Sequence, residues 1–294
     1  MKKILYKIIN DLGYRIENKK KIVNAEIKGL KKFDVKDNFD IIFKARKHIE
    51  ELEEKFKNIS IVNYNKGFLV GFLNLKIYVE SAEEFFILKE VFVENDYNFI
   101  CNDKSVIIDI GTNIGIASLF FSNLPHVEKI YCFEPIEETY NQAIDNFGLN
   151  KLISKVESIQ NIGLGDKTRQ EFFLFNKNSK GNTGIRGELS PSYSNTNTAI
   201  KVPVQINSAS EELVRIMDEN PSRKIVIKMD CEGAEYEIFE NLKNSQLLHK
   251  IDVFMLEWHD KGAEKIEEIL KNNNFEYFSK SLSPISGLIY AYKK

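Results

Sequence analysis

The sequence predicts an α/β fold: a doubly wound, mostly parallel Rossmann-like sheet that follows an N-terminal helical extension. From residue 105 onward, short apolar strand patterns alternate with helical patterns, which is typical of a parallel sheet covered on both faces. Residues 106–110 are four β-branched side chains and one acid, followed by a turn with Gly111 and Gly115 and a helical pattern. Before residue 60, apolar residues recur at helical spacing.

Two amphipathic helices are predicted for the N-terminal extension, residues 1–60, ahead of a main domain at residues 61–294. Their apolar stripes are formed by Ile4, Leu5, Ile8, Ile9 and Leu12, and by Ile42, Ile49, Leu52 and Phe56. These helices are a candidate surface for forming a homodimer.

A hairpin and a helix are predicted next. Residues 67–80 alternate in polarity and contain turn points at Gly71 and Asn74. Ser81 and Glu84 form a capping-box pattern, so a helix is expected to begin there. This helix and the residues after it are expected to bury Phe85, Phe86, Val91 and Phe92.

The main sheet is predicted from the remaining apolar runs. Strands are expected at residues 105–110, 129–133, 156–159, 224–229, 251–256, 276–280 and 287–292. Helices are expected at residues 137–147, 211–218, 234–241 and 262–272. Residues 176–197 are rich in Asn, Ser, Gly and Thr, and a loop this long inside a domain is usually a functional lid or disordered.

The amino-acid composition limits the partners and the cellular location that we expect for the protein. The net charge of −2 provides no basic field for nucleic acid, so no nucleic-acid partner is expected. No run approaches the roughly 18 apolar residues of a membrane helix, and Lys7 interrupts the apolar start too early for a signal peptide. Three cysteines without CxxC spacing are typical of a reducing compartment, which predicts a cytoplasmic protein.

Polar residues at three strand ends indicate a nucleoside-bearing ligand. Asp109 ends the first strand and suits a cation or hydroxyl groups, while the N–H groups of the following loop are expected to bind a carboxylate. Glu134 follows about 20 residues after the glycine turn, where an acid binds ribose hydroxyls. Asn161 follows the third strand, where the base is expected to lie.

The segment after the fourth strand carries further candidates. Lys228 lies within an apolar strand, so it should be buried and paired, and strand periodicity makes Asp230 its predicted partner. Glu232 and Glu235 follow at a helix start, where each acid also has the simpler role of interacting with the helix dipole. The next strand ends in Glu257, Trp258 and His259.

Together these segments resemble the FkbM family of S-adenosylmethionine-dependent methyltransferases. The matching residues are 108–115, 133–135, 164–167 and 227–235, with a lead-in at residues 90–92 and Tyr97. The resemblance extends over about residues 62–280. It implies S-adenosyl-L-methionine as cofactor, S-adenosyl-L-homocysteine as product, and O-methylation of a sugar hydroxyl in a nucleotide-sugar, capsular or other surface glycan precursor.

Site residues are assigned on this basis. The cofactor-binding residues are expected to be Tyr97, Asp109, Gly111, Thr112, Asn113, Gly115, Glu134, Asn161 and Asp230. We expect His259 or Asp230 to take the proton of the acceptor hydroxyl, with Glu257 orienting the base or the donor. In an alternative, which the sequence does not predict, Asp230, Glu232 and Glu257 hold a Mg²⁺ ion that acidifies the hydroxyl.

Two other classes of function stay open at this point. An NAD-dependent oxidoreductase shares the sheet and the ribose-binding acid, but the GxGxxG fingerprint is missing. The second class is a non-catalytic protein that binds a nucleoside and interacts with a partner through its N-terminal helices.

Overall fold

The structure is a computed structural model that describes residues 11–13, 19–33, 35–150, 154–190 and 199–294. Its strands are β1 (Ser60–Tyr64), β2 (Gly67–Phe72), β3 (Leu75–Val79), β4 (Ser105–Ile110), β5 (Val127–Phe133), β6 (Val156–Gln160), β7 (Gly163–Gly165), β8 (Arg169–Phe175), β9 (Ile200–Ser208), β10 (Lys224–Met229), β11 (Val253–His259), β12 (Phe275–Ser283) and β13 (Ser286–Lys293). Its helices are α1 (Lys19–Leu30), α2 (Phe39–Lys55), α3 (Ala82–Lys89), α4 (Ile116–Ser122), α5 (Glu137–Leu149), α6 (Ala209–Glu219), α7 (Glu235–Asn244) and α8 (Glu264–Asn272).

A seven-stranded sheet forms the centre of the fold, in the order β12-β13-β11-β10-β4-β5-β6. β11, β10, β4, β5 and β6 are parallel neighbours, whereas β13 runs antiparallel to both β11 and β12. The strand order reverses between β4 and β10, so this is a doubly wound sheet, and ligands bind such sheets at the carboxyl ends of the strands near that reversal. The predicted α/β fold class is confirmed.

The central strands are buried on both sides. Every residue of β4 is buried, and its apolar side chains divide between two core clusters, one on each face of the sheet. This double burial is why the strand consists almost wholly of β-branched residues.

The N-terminal helices and a small sheet cover one of these faces. Ile42, Ile49 and Leu52 of α2 are buried and belong to the same apolar core as the antiparallel sheet β1-β2-β3. In the stripe predicted around Ile4, four residues lie outside the described residues, and the fifth, Leu12, is 68% exposed. The domain boundary at residue 60 stays a prediction. No helix in the described residues is both long and apolar enough to cross a membrane.

The capping-box prediction is correct in position and differs in one bond. The Ser81 side chain accepts a hydrogen bond from the Glu84 backbone N–H, and α3 begins at Ala82. The Glu84 carboxylate reaches back one residue further than expected and accepts from the Glu80 N–H. Phe85 is buried as predicted, whereas Phe86 is 38% exposed, which corrects that expectation.

A second small sheet, β7-β9-β8, begins at Gly163, three residues after the end of β6, the edge strand of the main sheet. The chain between β8 and β9 contains the polar stretch predicted as a loop. Its described part forms two short 3₁₀ turns, Lys180–Asn182 and Gly187–Leu189, and extends over the carboxyl edge of the main sheet.

Candidate functional site

The glycine turn after β4 is tightly packed and bonded within the protein. Gly111 has φ +75°, and a Cβ there would lie 1.8 Å from the backbone oxygen of Asp230, so no side chain fits. Gly111 and Thr112 donate their N–H groups to Phe133 O, and Asn113 donates to Glu134. The expectation that these loop N–H groups bind a ligand carboxylate is therefore wrong, because they are already paired. Gly115, at φ +87°, packs against Phe147 and does not line the cavity.

Asp109 lies behind this turn, not in the wall of the cavity. Its carboxylate is fully buried, lies 3.2 Å from Lys228 Nζ and accepts a 2.6 Å hydrogen bond from Ser118 Oγ. Lys228 Nζ also donates to Gly111 O at 2.6 Å, so the pair fixes the turn. Burial alone lowers the pKa of Lys228, but the charges of Asp109 and Asp230 and the hydrogen bond to Asp109 together raise it. The predicted partner of Lys228, Asp230, is thus replaced by Asp109, which is its register neighbour on the adjacent strand.

Removing the buried cation is expected to destabilise the protein strongly. Lys228→Met leaves the Asp109 carboxylate buried without its ion-pair partner, so the free energy of unfolding in urea should fall by about 3–5 kcal/mol. Lys224→Met is the matched control on the same strand, because Lys224 pairs with Asp252 at the surface and should contribute less than about 1 kcal/mol. Equal losses in the two variants would contradict a structural role for the buried pair.

Glu134, the predicted ribose-binding acid, directly follows β5. Its carboxylate accepts 2.9 Å hydrogen bonds from the Asn113 and Ile136 N–H groups, and the residue lines the cavity. Burial raises the pKa of Glu134 to about 7, although the two N–H groups act in the opposite direction. Its remaining lone pairs are available to hydroxyl donors.

Asn161 does not reach the cavity. Its side-chain amide donates to the carbonyl oxygens of Glu134 and Pro135 at 3.0 and 3.1 Å, so it supports the end of β5 instead of meeting a base edge. The neighbouring part of the cavity has an apolar wall. It is formed by Phe133, Pro135, Leu164, Phe173 and Ile206.

One cavity of about 510 Å³ lies at the carboxyl ends of β4, β5, β10 and β11. Six of the predicted cofactor-binding residues line it: Tyr97, Gly111, Thr112, Asn113, Glu134 and Asp230. Of the predicted catalytic residues, Asp230 and Glu257 line it and His259 does not. Its volume falls within the roughly 300–1,000 Å³ of small-molecule sites.

Carboxylates crowd the part of the cavity near β10 and β11. Burial and the charge of Asp230 raise the pKa of Glu257 to about 8, although the charge of His259 acts in the opposite direction. Burial, followed by the charges of Glu257 and Asp230, raises the pKa of Glu90 to about 9. The Tyr97 hydroxyl donates to Asp230 Oδ2 at 3.2 Å. Glu257 and Glu90 are therefore mostly protonated at neutral pH, and a cationic ligand bound beside them would favour their ionised forms.

His259 is buried among these acids and cannot serve as the proposed base. Its Nδ1–H donates to Glu235 Oε1 at 2.6 Å, while Nε2 lies 3.4 Å from Glu232 Oε1 and 3.6 Å from Glu257 Oε1. Burial alone would lower the pKa of His259, but the bond to Glu235 and the surrounding carboxylates raise it to about 10. The imidazole is then protonated at neutral pH and has no free lone pair, which corrects its predicted role as proton acceptor.

Two buried cations hold the polar loop over the cavity. Lys180 Nζ lies 2.9 Å from Glu80 Oε2 and 3.2 Å from Glu84 Oε1, and it also donates to Gln142. Arg186 bonds to Glu232 Oε2 at 3.0 Å and to Asp260 Oδ1 at 2.7 Å. Between these anchors, Gly181, Asn182, Thr183 and Ile185 line the cavity.

Sequence reasoning missed several residues of the wall. Glu90 has no sequence signal beyond its place in the segment before the first strand of the main sheet, and Glu83, which accepts a hydrogen bond from the Asn182 side chain, has none. Lys180 and Arg186 occur in a polar stretch without periodicity, so only the folded structure reveals their partners. Glu232 had a signal, because it follows Asp230 directly after a strand end, but a helix N-terminal acid explains that position equally well.

The chain is similar in sequence to known methyltransferases. A profile of the Methyltransferase FkbM domain matches residues 109–277, which is more than half of the chain. Methyltransferase sdnD of Sordaria araneosa is 27% identical over 220 residues, covering 67% of this chain and 84% of that protein. Methyltransferase 1 of Beauveria bassiana is 28% identical over 167 residues, covering 53% of this chain and 66% of that protein.

Among solved structures, Methyltransferase FkbM from Methylobacillus flagellatus KT aligns with a TM-score of 0.43 at 14% identity, covering 70% of this chain and 48% of that chain. The profile match includes the glycine turn, Glu134, and the segment from Lys228 to Glu235. The chain is therefore a methyltransferase of the FkbM family.

Proposed function

We propose that this methyltransferase uses S-adenosyl-L-methionine to methylate a hydroxyl group of a sugar, as in a nucleotide-sugar or another glycan precursor. The observation that carries the proposal is the composition of the cavity. Glu134 and an apolar wall lie at one side of the glycine turn, and the carboxylates Asp230 and Glu257 lie at the other. A nucleoside suits the first side, and a hydroxyl that must lose a proton suits the second.

The residues present fit this cofactor. Glu134 offers free lone pairs to the two ribose hydroxyls, and the apolar wall that includes Phe133 and Leu164 suits the faces of an adenine. Asp230 and Tyr97 would contact the amino acid end of the cofactor, where a carboxylate attracts positive charge. When bound, the sulfonium supplies an electrophilic methyl group.

The protein contributes orientation and a proton acceptor. Holding the acceptor oxygen in line with the methyl carbon contributes about 7–11 kcal/mol to rate acceleration. Glu257, which lines the cavity beside Asp230, would accept the hydroxyl proton in its ionised form as the methyl group passes from sulfur to oxygen and S-adenosylhomocysteine is released. Because burial raises the pKa of Glu257 to about 8, the rate should increase as the pH rises through that value. Hydroxyl donors of a sugar also find Glu90, Asp96, Asn182 and Ser286 in the same wall.

Calorimetry with S-adenosylhomocysteine and NADH tests the proposal. We expect S-adenosylhomocysteine to bind with a Kd in the micromolar range and NADH to bind at least about tenfold more weakly. Methyl transfer to a panel of nucleotide-sugars should follow, detected by mass spectrometry as a gain of one methyl group. Tighter binding of NADH would favour the oxidoreductase, and S-adenosylhomocysteine binding without turnover on any sugar would reject the acceptor class.

The affinity for adenosine should depend on pH through Glu134. Ribose hydroxyls donate to the ionised carboxylate, and burial raises the pKa of Glu134 to about 7, so binding must remove its proton at lower pH. We expect the Kd to be about tenfold weaker at pH 6 than at pH 8, since one pKa unit corresponds to one factor of ten.

The Glu134→Gln variant is the control for this titration. It should bind adenosine weakly and with the same Kd at both pH values. A wild-type Kd that does not change with pH would contradict the assignment of Glu134 to the ribose.

A further inference from the structure

Three side chains of different chemistry converge beside the cavity. Asp230, Glu232 and His259 each offer one ligand atom, and these atoms all lie within 4.8 Å of one another. His259 is only 3% exposed, and its Nε2 lies 3.4 Å from Glu232 Oε1 and 3.6 Å from Glu257 Oε1. A buried imidazole nitrogen directed at two carboxylates is a stronger indication of a ligand than an acidic cluster alone.

The other polar atom of each side chain is held by a separate group. Nδ1–H of His259 donates to Glu235 at 2.6 Å, and Glu232 Oε2 accepts from Arg186 at 3.0 Å. Asp230 Oδ2 accepts from the Tyr97 hydroxyl at 3.2 Å. Metal-binding histidines have this arrangement, since a carboxylate on the far nitrogen fixes the ring and increases its basicity.

We propose that Asp230, Glu232 and His259 bind one divalent first-row cation such as Mn²⁺, which displaces the Nε2 proton of His259 when it binds. Two carboxylate oxygens and one imidazole nitrogen form a mixed donor set that suits this class of ion. Asp230 and Glu232 line the cavity, so the remaining coordination positions open toward it. Given the proposed function, the ion coordinates the acceptor hydroxyl and makes it more acidic, and Glu257 takes the proton.

This set of ligands differs from the Mg²⁺ site suggested by the sequence, which has Glu257 in the place of His259. Glu257 lies 3.6 Å from His259 Nε2 and lines the cavity, which leaves it adjacent to the ion as the proton acceptor. A second group of acids, Glu90, Glu94 and Asp96, also borders the cavity. That group has no nitrogen donor, and Glu94 is paired with Lys89 at 2.8 Å.

Manganese binding to the full chain tests the proposal without measuring turnover. After removal of metal with EDTA, titration with MnCl₂ should give one site per chain by calorimetry. Pulsed electron paramagnetic resonance of the bound Mn²⁺ should show coupling to one ¹⁴N nucleus of a histidine. Glu232→Gln should weaken Mn²⁺ binding at least about tenfold, whereas Glu94→Gln should leave it unchanged.

The possible outcomes separate this proposal from the proposed function. The metal site is overturned if Mn²⁺ does not bind either with or without S-adenosylhomocysteine. It is also overturned if Mn²⁺ binds without ¹⁴N coupling, or if only Glu94→Gln weakens its binding. A chain that binds Mn²⁺ with ¹⁴N coupling but does not bind S-adenosylhomocysteine supports the metal site and contradicts the proposed function. The wild-type spectrum decides whether a histidine binds the ion even if Glu232→Gln fails to fold.

Discussion

Replacing Glu257 with glutamine is expected to lower kcat by at least about 10²-fold, because a positioned proton acceptor contributes about 10²–10⁴-fold to such a reaction. The amide keeps the shape of the side chain and cannot accept the proton of the hydroxyl. S-adenosylhomocysteine binding, measured by calorimetry, should stay within about threefold of wild type, since Glu257 acts on the acceptor.

Glu94→Gln is the matched control for this experiment. Glu94 also borders the cavity, but its carboxylate is paired with Lys89 and has no part in the proposed reaction. Its kcat should stay within about threefold of wild type. If Glu257→Gln turns over at the wild-type rate, another group takes the proton. If it changes only KM, Glu257 contributes binding and not proton transfer.

Gly111→Ala should abolish cofactor binding and lower the free energy of unfolding by about 3 kcal/mol or more. The new Cβ would lie 1.8 Å from the Asp230 backbone oxygen, and the residue already has φ +75°, which L side chains rarely adopt. To relieve the overlap, the turn and the end of β10 must separate. Separation of these two segments displaces residues that line the cavity. Urea unfolding and calorimetric titration with S-adenosylhomocysteine measure the two effects.

Gly148→Ala is the corresponding control. Gly148 lies in α5 with no atom within 4 Å of a new Cβ, so alanine should increase stability by up to about 1 kcal/mol through its helix propensity. Wild-type stability and binding in Gly111→Ala would show that β4 and β10 do not pack as closely as described.

The main sheet could be predicted from the sequence because its strands are buried on both faces. Such strands require continuous runs of β-branched residues, and these runs marked β4 and β10 with their observed bounds. The strands of the two smaller sheets are harder to predict from the sequence. β1 and β9 alternate between buried and exposed positions and contain several polar residues, so no apolar run distinguishes them from loops.

Most of the predicted site residues line one cavity, but several of the predicted pairings between side chains are wrong. Strand periodicity relates Lys228 to Asp230 along one strand, but the parallel register places Lys228 beside Asp109 on the next strand. Only the strand order and register, which the sequence pattern does not encode, determine that neighbour. The same limit applies to His259: its position at a strand end was evident, whereas its enclosure by Glu232 and Glu235 depends on how α7 packs against β11.

In the loop over the cavity, the residues that hold the loop in place differ from the residues that face the ligand. Lys180 and Arg186 fix its two ends through buried ion pairs, while the residues between them present their atoms to the cavity. Side chains between fixed points can change without refolding the sheet, because neither anchor depends on them. Asn182, Thr183 and Ile185 are therefore positions at which substitution can alter the chemistry of one wall while the glycine turn stays intact. Gly184 is the exception, because a Cβ there would lie 2.4 Å from Glu232 Cβ.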